Sequence, residues 1–383
     1  MTAQTAKEIH YAKAFEALIG TAGAGELAEL RRAAFRYFNE TGYPSVRDED
    51  WKYTNVAEIA KSEFNAVDLR EIDDHVHPEL KEFNYKRNGF TALNLAFADI
   101  SKRLIPADQK IAEPIKIGSS AVDGALQAPH YIFVAEPGSE STILEIYESE
   151  TRSFVNSALQ VIVGDNARVT HYRVQKDSAD AFHYGVTEVT LGRDARYDST
   201  NITLGGALSR HDIDLKFTAE GGEAWVDGLY MLNGSQHHDT HSLIDHAVPN
   251  CTSHQTYKGV LNDKSRGVFN GKVLVREDAH GTDAQQSNKN LLLSNEARVD
   301  TKPQLEIFND DVKCSHGATV GQLEEEELFY LLTRGLPENL AKNLLTYGFA
   351  EAIIQKIGLD EIKADLDEAV LNRLNVKHGS LRI

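Results

Sequence analysis

Histidine and aspartate are concentrated in residues 237–254, a segment that begins His-His-Asp-Thr-His. Imidazole nitrogens and carboxylate oxygens are ligands that bind divalent transition metals. If the segment is a β-strand, His237, Asp239 and His241 project from one face, because side chains alternate along a strand. The segment therefore indicates either a metal centre, such as that of a metal-dependent hydrolase, or structural histidines that hydrogen-bond along stacked strands.

A cysteine and a histidine lie two residues apart in the segment Lys313-Cys314-Ser315-His316-Gly317-Ala318-Thr319. On a strand, Cys314 and His316 would face the same side. A nearby imidazolium would lower the thiol pKa and give a thiolate suited to sulfur or metal chemistry. The alternative is a small buried cysteine beside a hydrogen-bonded histidine.

No motif for nucleotide or acyl-transfer chemistry is present. The glycine-punctuated stretch 259–286 lacks the G-x-x-x-x-G-K-[ST] pattern of a phosphate-binding loop, and no G-x-S-x-G elbow occurs in the chain. We therefore do not expect a nucleotide site or a serine hydrolase.

The elements that must position these residues fall into three regions. Apolar residues recur at helical spacing over residues 6–19 and 26–39, and again after residue 321. Between about residues 115 and 320, short runs of Val, Ile, Leu, Tyr and Thr alternate with polar residues and are punctuated by Gly, Asn and Asp. We predict a helical region over 1–110, a β-region over 111–321 and a helical region over 322–383.

A weak repeat runs through the β-region. Similar segments begin at Ala167, Ala195, Ala224, Gly267 and Ala297, which are 28, 29, 43 and 30 residues apart. A unit of this length with strands and no helices is typical of a β-solenoid, in which each coil stacks on the last. A β-sandwich is the alternative. The 43-residue interval, which includes the histidines, predicts an elaborated coil.

Composition limits the functions that this chain can have. It has 383 residues, of which 41% are hydrophobic, and its 40 basic and 58 acidic residues give a net charge of −18. Such a surface repels nucleic acid and anionic lipid, and no apolar run is long enough to span a membrane. The two cysteines exclude a disulfide scaffold. Without a secretory signal in the first residues, we expect a cytoplasmic protein.

Taken together, the motifs resemble the SufB/SufD family of iron–sulfur cluster assembly proteins. The resemblance is densest between residues 237 and 350 and sparse before 115. It is carried by Glu49-x-Trp51-Lys52-Tyr53-Thr54, Leu93-Asn94-x-Ala96-Phe97, His241-x-x-x-Asp245-His246, Tyr257-Lys258-Gly259, Arg266-Gly267-Val268-Phe269-Asn270-Gly271-Lys272, Thr282-Asp283-Ala284-Gln285-Gln286, Leu291-Leu292-Leu293-Ser294, Pro303-x-Leu305-Glu306-Ile307, Asp310-Asp311-Val312-Lys313-Cys314-Ser315-His316-Gly317-Ala318-Thr319-x-Gly321 and Tyr330-Leu331-x-x-Arg334-Gly335. The Cys-Ser-His-Gly-Ala-Thr-x-Gly ending, the short chain and the low cysteine count resemble the SufD branch more than SufB, which is the nearest alternative.

The resemblance implies a mainly β fold, a right-handed parallel β-helix flanked by N-terminal and C-terminal helical domains. It implies a scaffold without catalytic activity of its own and without a permanent cofactor. It places a transient iron–sulfur cluster at the junction with a SufB-like paralogue. His316 would be a transient metal ligand shared with that partner, and Cys314 would be its neighbour.

The same resemblance implies a second partner. The C-terminal helices would bind a SufC-like ATPase through a region that contains Leu328, Tyr330, Leu331, Arg334, Gly335 and Phe349. In isolation the chain could pair with a second copy of itself as a homodimer. Cys251 is expected to be a small buried residue.

Overall fold

Helices form both ends of the chain and strands form its middle. The computed structural model describes residues 3–21, 25–66 and 76–374. The helices are α1 (Ala3–Thr21), α2 (Glu26–Thr41), α3 (Ala57–Lys61), α4 (Gly89–Ala96), α5 (Glu325–Thr333), α6 (Glu338–Ile354) and α7 (Asp360–Arg373), with 3-10 turns at Glu49–Trp51 and Pro78–Lys81. None of the helices in these ranges is long and apolar enough to cross a membrane.

The strands are all parallel to their neighbours. They are β1 (Asn65–Ala66), β2 (Asp99–Ile105), β3 (Ile115–Ser120), β4 (Ala125–Gln127), β5 (Pro129–Ala135), β6 (Glu140–Ser149), β7 (Phe154–Val163), β8 (Arg168–Asp177), β9 (Phe182–Leu191), β10 (Arg196–Thr203), β11 (Leu208–Phe217), β12 (Glu223–Leu232), β13 (His237–His246), β14 (Thr252–Leu261), β15 (Arg266–Val275), β16 (Thr282–Leu292), β17 (Arg298–Ile307) and β18 (Val312–Gly321).

These strands wind into a β-solenoid, as the sequence predicted. From β6 onward, successive strands alternate between two sheets. Over the described residues, sheet A has ten strands and ends at β17, and sheet B has eight strands and ends at β18. The fold class, mainly β with a parallel solenoid between N-terminal and C-terminal helices, is confirmed. The predicted domain limits stay a prediction.

The predicted elaborated coil is wrong. Ala224 pairs with Ser253 one coil further on, whereas Gly267 lies on β15 of the other sheet. The 43-residue interval is therefore one full coil followed by half a coil, because the repeated motif passes from sheet B to sheet A. The histidine segment itself is the ordinary ten-residue strand β13, which pairs with β11 and β15 along its whole length.

The Gly, Asn and Asp punctuation marks one corner of the coils. Asn166, Asp194 and Asn250 adopt positive φ angles of 56°, 52° and 57° there, a conformation that short polar side chains tolerate best among residues with a Cβ. At Gly281, where φ is 69°, a Cβ would also lie closer than 3.0 Å to the Asn250 side chain.

Apolar ladders hold the coils together inside the solenoid. One ladder runs in register through sheet A from β5 to β17 and consists of Phe133, Val161, Val189, Leu215, Ile244, Val273 and Leu305. The members before Leu305 belong to the buried core, and Leu305 is only partly buried. Among the described residues, the ladder therefore ends at β17 with a last member that is only partly covered.

The flanking helices cover the outer faces of the sheets. Trp51 lies 5.3 Å from Phe90 of α4 and 5.9 Å from Tyr184 of β9, measured between ring centroids, which seals the N-terminal region against sheet A. On sheet B, α6 and α7 pack over the middle coils, and Lys356 Nζ lies 2.6 Å from Oδ2 of the buried Asp227.

Candidate functional site

The solenoid finishes in two strands that have a partner on one side. β17 pairs with β15, and β18 pairs with β16. In the described part of the chain, no strand pairs with their other edges. Both strands are ten residues long and contain no buried residue. We call β17 and β18 the open end. Unpaired edges of this length are templates for binding another strand.

Apolar side chains are exposed at the open end. Phe308, the first residue after β17, is 61% exposed, Val320 is 48% exposed and Ile307 is 39% exposed. A cluster of large apolar side chains in contact with water indicates an interaction surface.

Cys314 and His316 lie together on β18, on the face that turns into the solenoid. Cys314 pairs with Ala284, a core residue, and packs against the same core. His316 follows two residues later, so it shares this face, and its register partner is the buried Gln286. His316 itself is exposed. The predicted common orientation of the two residues is confirmed.

The lowered thiol pKa that one of the two alternatives requires is not found in this chain. Burial raises the pKa of the Cys314 thiol, and the charge of Asp283 adds to this effect. A hydrogen bond with the backbone of Ala284 opposes the rise without cancelling it. Cys314 is partly buried against core carbons, which favours the alternative of a small buried cysteine. His316 is the more accessible donor of the two.

A second exposed surface lies on α5. No residue of α5 is buried, and Phe329, Tyr330 and Leu332 are 67%, 57% and 37% exposed. An apolar surface on a helix with no buried face is unusual for a monomer, since such helices normally pack their apolar residues against the body of the protein.

The residues predicted to bind a second partner lie in and around α5. Leu328, Tyr330 and Leu331 are on α5, and the Arg334 guanidinium lies 5.1 Å from the Tyr330 ring centroid. Gly335 ends this segment with a φ of 89°.

The remaining predicted residue, Phe349, lies on α6. Its carbonyl oxygen accepts a hydrogen bond of 2.9 Å from Lys258 Nζ of β14. Phe349 therefore ties α6 to the solenoid.

An open cleft of about 680 Å³ separates the open end from these helices. Val320 of β18, Glu327 of α5 and Phe349 of α6 all line this cleft, together with Lys258 and Lys289. The two exposed surfaces are therefore neighbours on one side of the molecule.

The histidine segment has partners within the protein. Asp239 faces outward, where it accepts hydrogen bonds of 2.9 Å from Arg210 and 2.5 Å from Thr54. His237 Nε2 lies 2.9 Å from Thr54 Oγ1, and His241 Nε2 lies 3.1 Å from Asp239 Oδ1. Although burial would raise the pKa of Asp239, its charged neighbours outweigh burial and hold that pKa well below its usual range.

The other histidines of β13 face inward. His238 bonds to Ser209 at 2.8 Å and to Thr240 at 3.0 Å, and His246 bonds to Ser253 at 2.8 Å. Burial lowers the pKa of His238 to about 3 and that of His246 to about 4. These imidazoles are neutral hydrogen-bonding groups of the core.

Across the residues that the structure describes, no group of three or more His, Cys, Asp and Glu side chains is arranged to hold a metal ion. The alternative of a hydrolase built on residues 237–254 therefore has no support in the geometry.

Comparison with known proteins decides the family. The sequence model described as "SUF system FeS cluster assembly, SufBD core domain" matches residues 117–349, and the model "SufBD protein N-terminal region" matches residues 4–83. The chain belongs to the SufBD family. The core match spans the solenoid from β3 to β18 together with α5 and much of α6. The predicted resemblance is thereby confirmed.

Several SufBD relatives are similar to this chain over most of their own length. A SufBD family protein of Synechocystis is 32% identical, covering 90% of this chain and 90% of its own length. The iron–sulfur cluster assembly protein SufD of Escherichia coli is 29% identical, covering 87% of this chain and 90% of its own. SufD of Bacillus subtilis is 28% identical over 76% of this chain and 69% of its own. The chain is thus a SufD-like member of the family.

Sequence reasoning overlooked Phe308 and Phe329 of this SufBD protein, and it included Gln286 only as part of a family motif. Phe308 lies in the polar turn Phe308-Asn309-Asp310-Asp311. An aromatic residue in such a turn could have indicated an exposed interaction surface. Phe329 lies two residues after a run of four glutamates, where an aromatic residue could also have been noticed. The family motif that contains Gln286 gave this residue no role of its own, because its importance depends on strand register.

Proposed function

We propose that this chain is a SufD-type scaffold subunit of the SUF iron–sulfur cluster assembly machinery. It has no catalytic activity of its own. It pairs with a SufB-like paralogue through the open end and with a SufC-like ATPase through α5 and the neighbouring part of α6. The nascent cluster is cargo that is held at the SufB–SufD junction and then released.

The observation that carries this proposal is the open end. Two ten-residue edge strands lack an outer partner in the described part of the chain, and Ile307, Phe308 and Val320 are exposed there. A paralogue with the same solenoid could add its own terminal strands to these edges. A second copy of this chain could do the same, which would give a homodimer in the absence of the paralogue.

The chemistry of the open end suits a shared site. His316 is an exposed imidazole on the inward face of β18, and neutral imidazole is a good ligand for iron. Cys314 is a nearby sulfur, although burial raises its pKa. Two donors are too few for a cluster, since iron–sulfur clusters are usually held by four ligands. We propose that the partner supplies the remaining ligands.

The exposed face of α5 supports the second interaction. Phe329, Tyr330 and Leu332 offer an apolar contact surface to the ATPase. Because α5, α6 and β18 line one cleft, a movement of the bound ATPase could be transmitted through these helices to the open end.

The experiment is co-expression of the chain with candidate SufB-like and SufC-like proteins, followed by measurement of the mass of the purified assembly. We expect one copy of this chain with one SufB-like and two SufC-like subunits. The variant His316→Ala should form the same assembly but fail to build a cluster. Normal cluster assembly by that variant would refute the role of His316, and a chain that ignores both partners would refute the scaffold function.

A further inference from the structure

A row of polar side chains runs along the inner face of sheet B and leads to the open end. Gln255 of β14, Gln286 of β16 and His316 of β18 are register partners on three successive coils. Gln255 and Gln286 are each 3% exposed, so this row is buried up to its last member. Buried amides such as these require hydrogen-bond partners.

The hydrogen bonds of this row define the orientation of each amide. Gln255 Nε2 donates to Ser242 Oγ at 2.8 Å, so Gln255 Oε1 is free to accept. Gln286 Nε2 donates to that oxygen at 2.7 Å. Because only the NH₂ group of an amide can donate, Gln286 must direct Nε2 toward Gln255. The Oε1 atom of Gln286 takes part in neither of these hydrogen bonds.

Gln286 Oε1 is buried and has no hydrogen-bond partner among the described residues. The amide cannot turn aside easily, because it is packed against the backbone of β15. A Cβ placed on Gly271 would lie closer than 3.0 Å to Gln286 Nε2. A buried carbonyl oxygen without a donor is unfavourable, so this atom requires a donor from the open end.

His316 is the residue that can supply that donor. It stands next in the row, shares the inward face and has an exposed side chain. A neutral imidazole has one N–H and one lone pair. Metal-binding histidines usually donate that N–H to an oxygen acceptor, which fixes the ring and its tautomer.

We propose that Gln286 is a positioning residue for His316. Its Oε1 accepts a hydrogen bond from one ring nitrogen of His316 and thereby holds the lone pair of the other nitrogen toward the open end. This inference rests on the ligand role of His316 proposed above, but it is testable without any cluster. The hydrogen bonds that join Ser242, Gln255 and Gln286 would then support the exposed histidine.

The test is nuclear magnetic resonance of the full chain labelled with ¹⁵N in its histidines. An imidazole N–H that is hydrogen-bonded exchanges slowly with water and gives a signal, whereas that of a free exposed ring exchanges too fast. We expect a ring N–H signal for His316, identified by its loss in His316→Ala. The signal should disappear in Gln286→Met, which keeps the length of the side chain but removes the amide.

Two variants make the result specific. Gln285→Met alters the exposed neighbour on the same strand and should leave the signal unchanged. Gln286→Glu keeps an acceptor oxygen and should restore the signal that Gln286→Met loses. A wild-type chain without the signal, or a signal that survives in folded Gln286→Met, would overturn the inference.

A reciprocal measurement covers the case in which Gln286→Met does not fold. His316→Phe changes an exposed side chain, so the fold should persist, and the ¹³C shift of the Gln286 side-chain carbonyl should move. An unchanged shift would overturn the inference. The proposed function is judged separately: if His316→Ala assembles clusters normally while the ring signal behaves as expected, Gln286 still positions His316 and only the ligand role fails.

Discussion

Arg210 and Asp239 are register partners on β11 and β13, and Arg210 Nη1 donates to Asp239 Oδ2 at 2.9 Å. The same guanidinium donates through Nε to Asp212 at 2.7 Å and through Nη1 to the carbonyl of Asp50 at 2.6 Å. It lies 3.7 Å from the centroid of the Trp51 ring. One buried arginine thus joins two coils of the solenoid to the N-terminal segment.

Replacing this arginine should be costly. Arg210→Met removes the guanidinium that two buried carboxylates, Asp212 and Asp239, share. Breaking a buried pair in this way usually costs about 3–5 kcal/mol. We expect the free energy of unfolding in urea to fall by about that amount.

The matched control is Arg196→Met. Arg196 makes the same bond to a residue two positions later, with Nε 2.8 Å from Asp198 Oδ2, but both side chains are 34% exposed. Surface pairs of this kind contribute less than about 1 kcal/mol. If both variants lost the same free energy of unfolding, burial would not explain the contribution of Arg210 to stability.

Glu188 should make stability depend on pH. It is the register partner of Asp214 on the outer face of sheet A. Burial raises the pKa of Glu188 to about 7, the charge of Asp214 adds to the rise, and Arg87 opposes it. Because the folded pKa lies above the unfolded value, the folded chain holds the proton more tightly. The resulting stability is fully present below the unfolded pKa and is lost as the pH rises to about 7.

Glu188→Gln keeps the neutral form at every pH. We therefore expect this variant to melt at a higher temperature than the wild type at pH 8, with a smaller difference at pH 5. Calorimetric scans at both pH values provide the measurement. Glu150→Gln, at an exposed turn, is the control and should show no such pH dependence. The same difference in melting temperature at both pH values would argue against a raised pKa for Glu188.

The solenoid could be predicted because its corners and strand starts recur in the sequence at the length of one coil. The sheet to which each repeat belongs could not be predicted. Ala224 is the second residue of a strand of sheet B and Gly267 is the second residue of a strand of sheet A. Both fit one pattern of small and apolar residues. Only the pairing of Ala224 with Ser253 distinguishes a change of sheet from an insertion.

The candidate site was predictable to the extent that it follows from alternation along one strand. Cys314 and His316 share a face for that reason. The state of the thiol depends on Ala284 and on the core of the preceding coil, which is a contact between distant parts of the chain. The histidine segment was ambiguous for a similar reason, since the residue that bonds to both His237 and Asp239 is Thr54 of the N-terminal segment.

Gly228 should resist substitution because of its neighbour on the next coil. It is the register partner of Tyr257, and a Cβ at this position would lie closer than 3.0 Å to the tyrosine ring. Overpacking of this kind costs about 1–3 kcal/mol, so Gly228→Ala should lower the free energy of unfolding in urea by that amount. The control Gly317→Ala is also in a strand, but its Cβ would meet no atom within 4 Å. If both alanine variants lose the same free energy of unfolding, the close packing of Tyr257 on Gly228 does not determine the cost of the substitution.

Two phenylalanines should separate the two proposed partner surfaces. Phe308 at the open end and Phe329 on α5 are 61% and 67% exposed, so their replacement by serine should leave the fold of the isolated chain intact. Burying a phenylalanine side chain in an interface contributes about 1.5–3 kcal/mol, which corresponds to roughly a tenfold to hundredfold change in Kd. Phe308→Ser should weaken binding of the SufB-like partner, and Phe329→Ser should weaken binding of the SufC-like ATPase. Each variant serves as the control for the other, with both affinities measured by interferometry on the purified chain. If either variant weakened both interactions equally, or if their effects were exchanged, the assignment of one partner to each surface would be wrong.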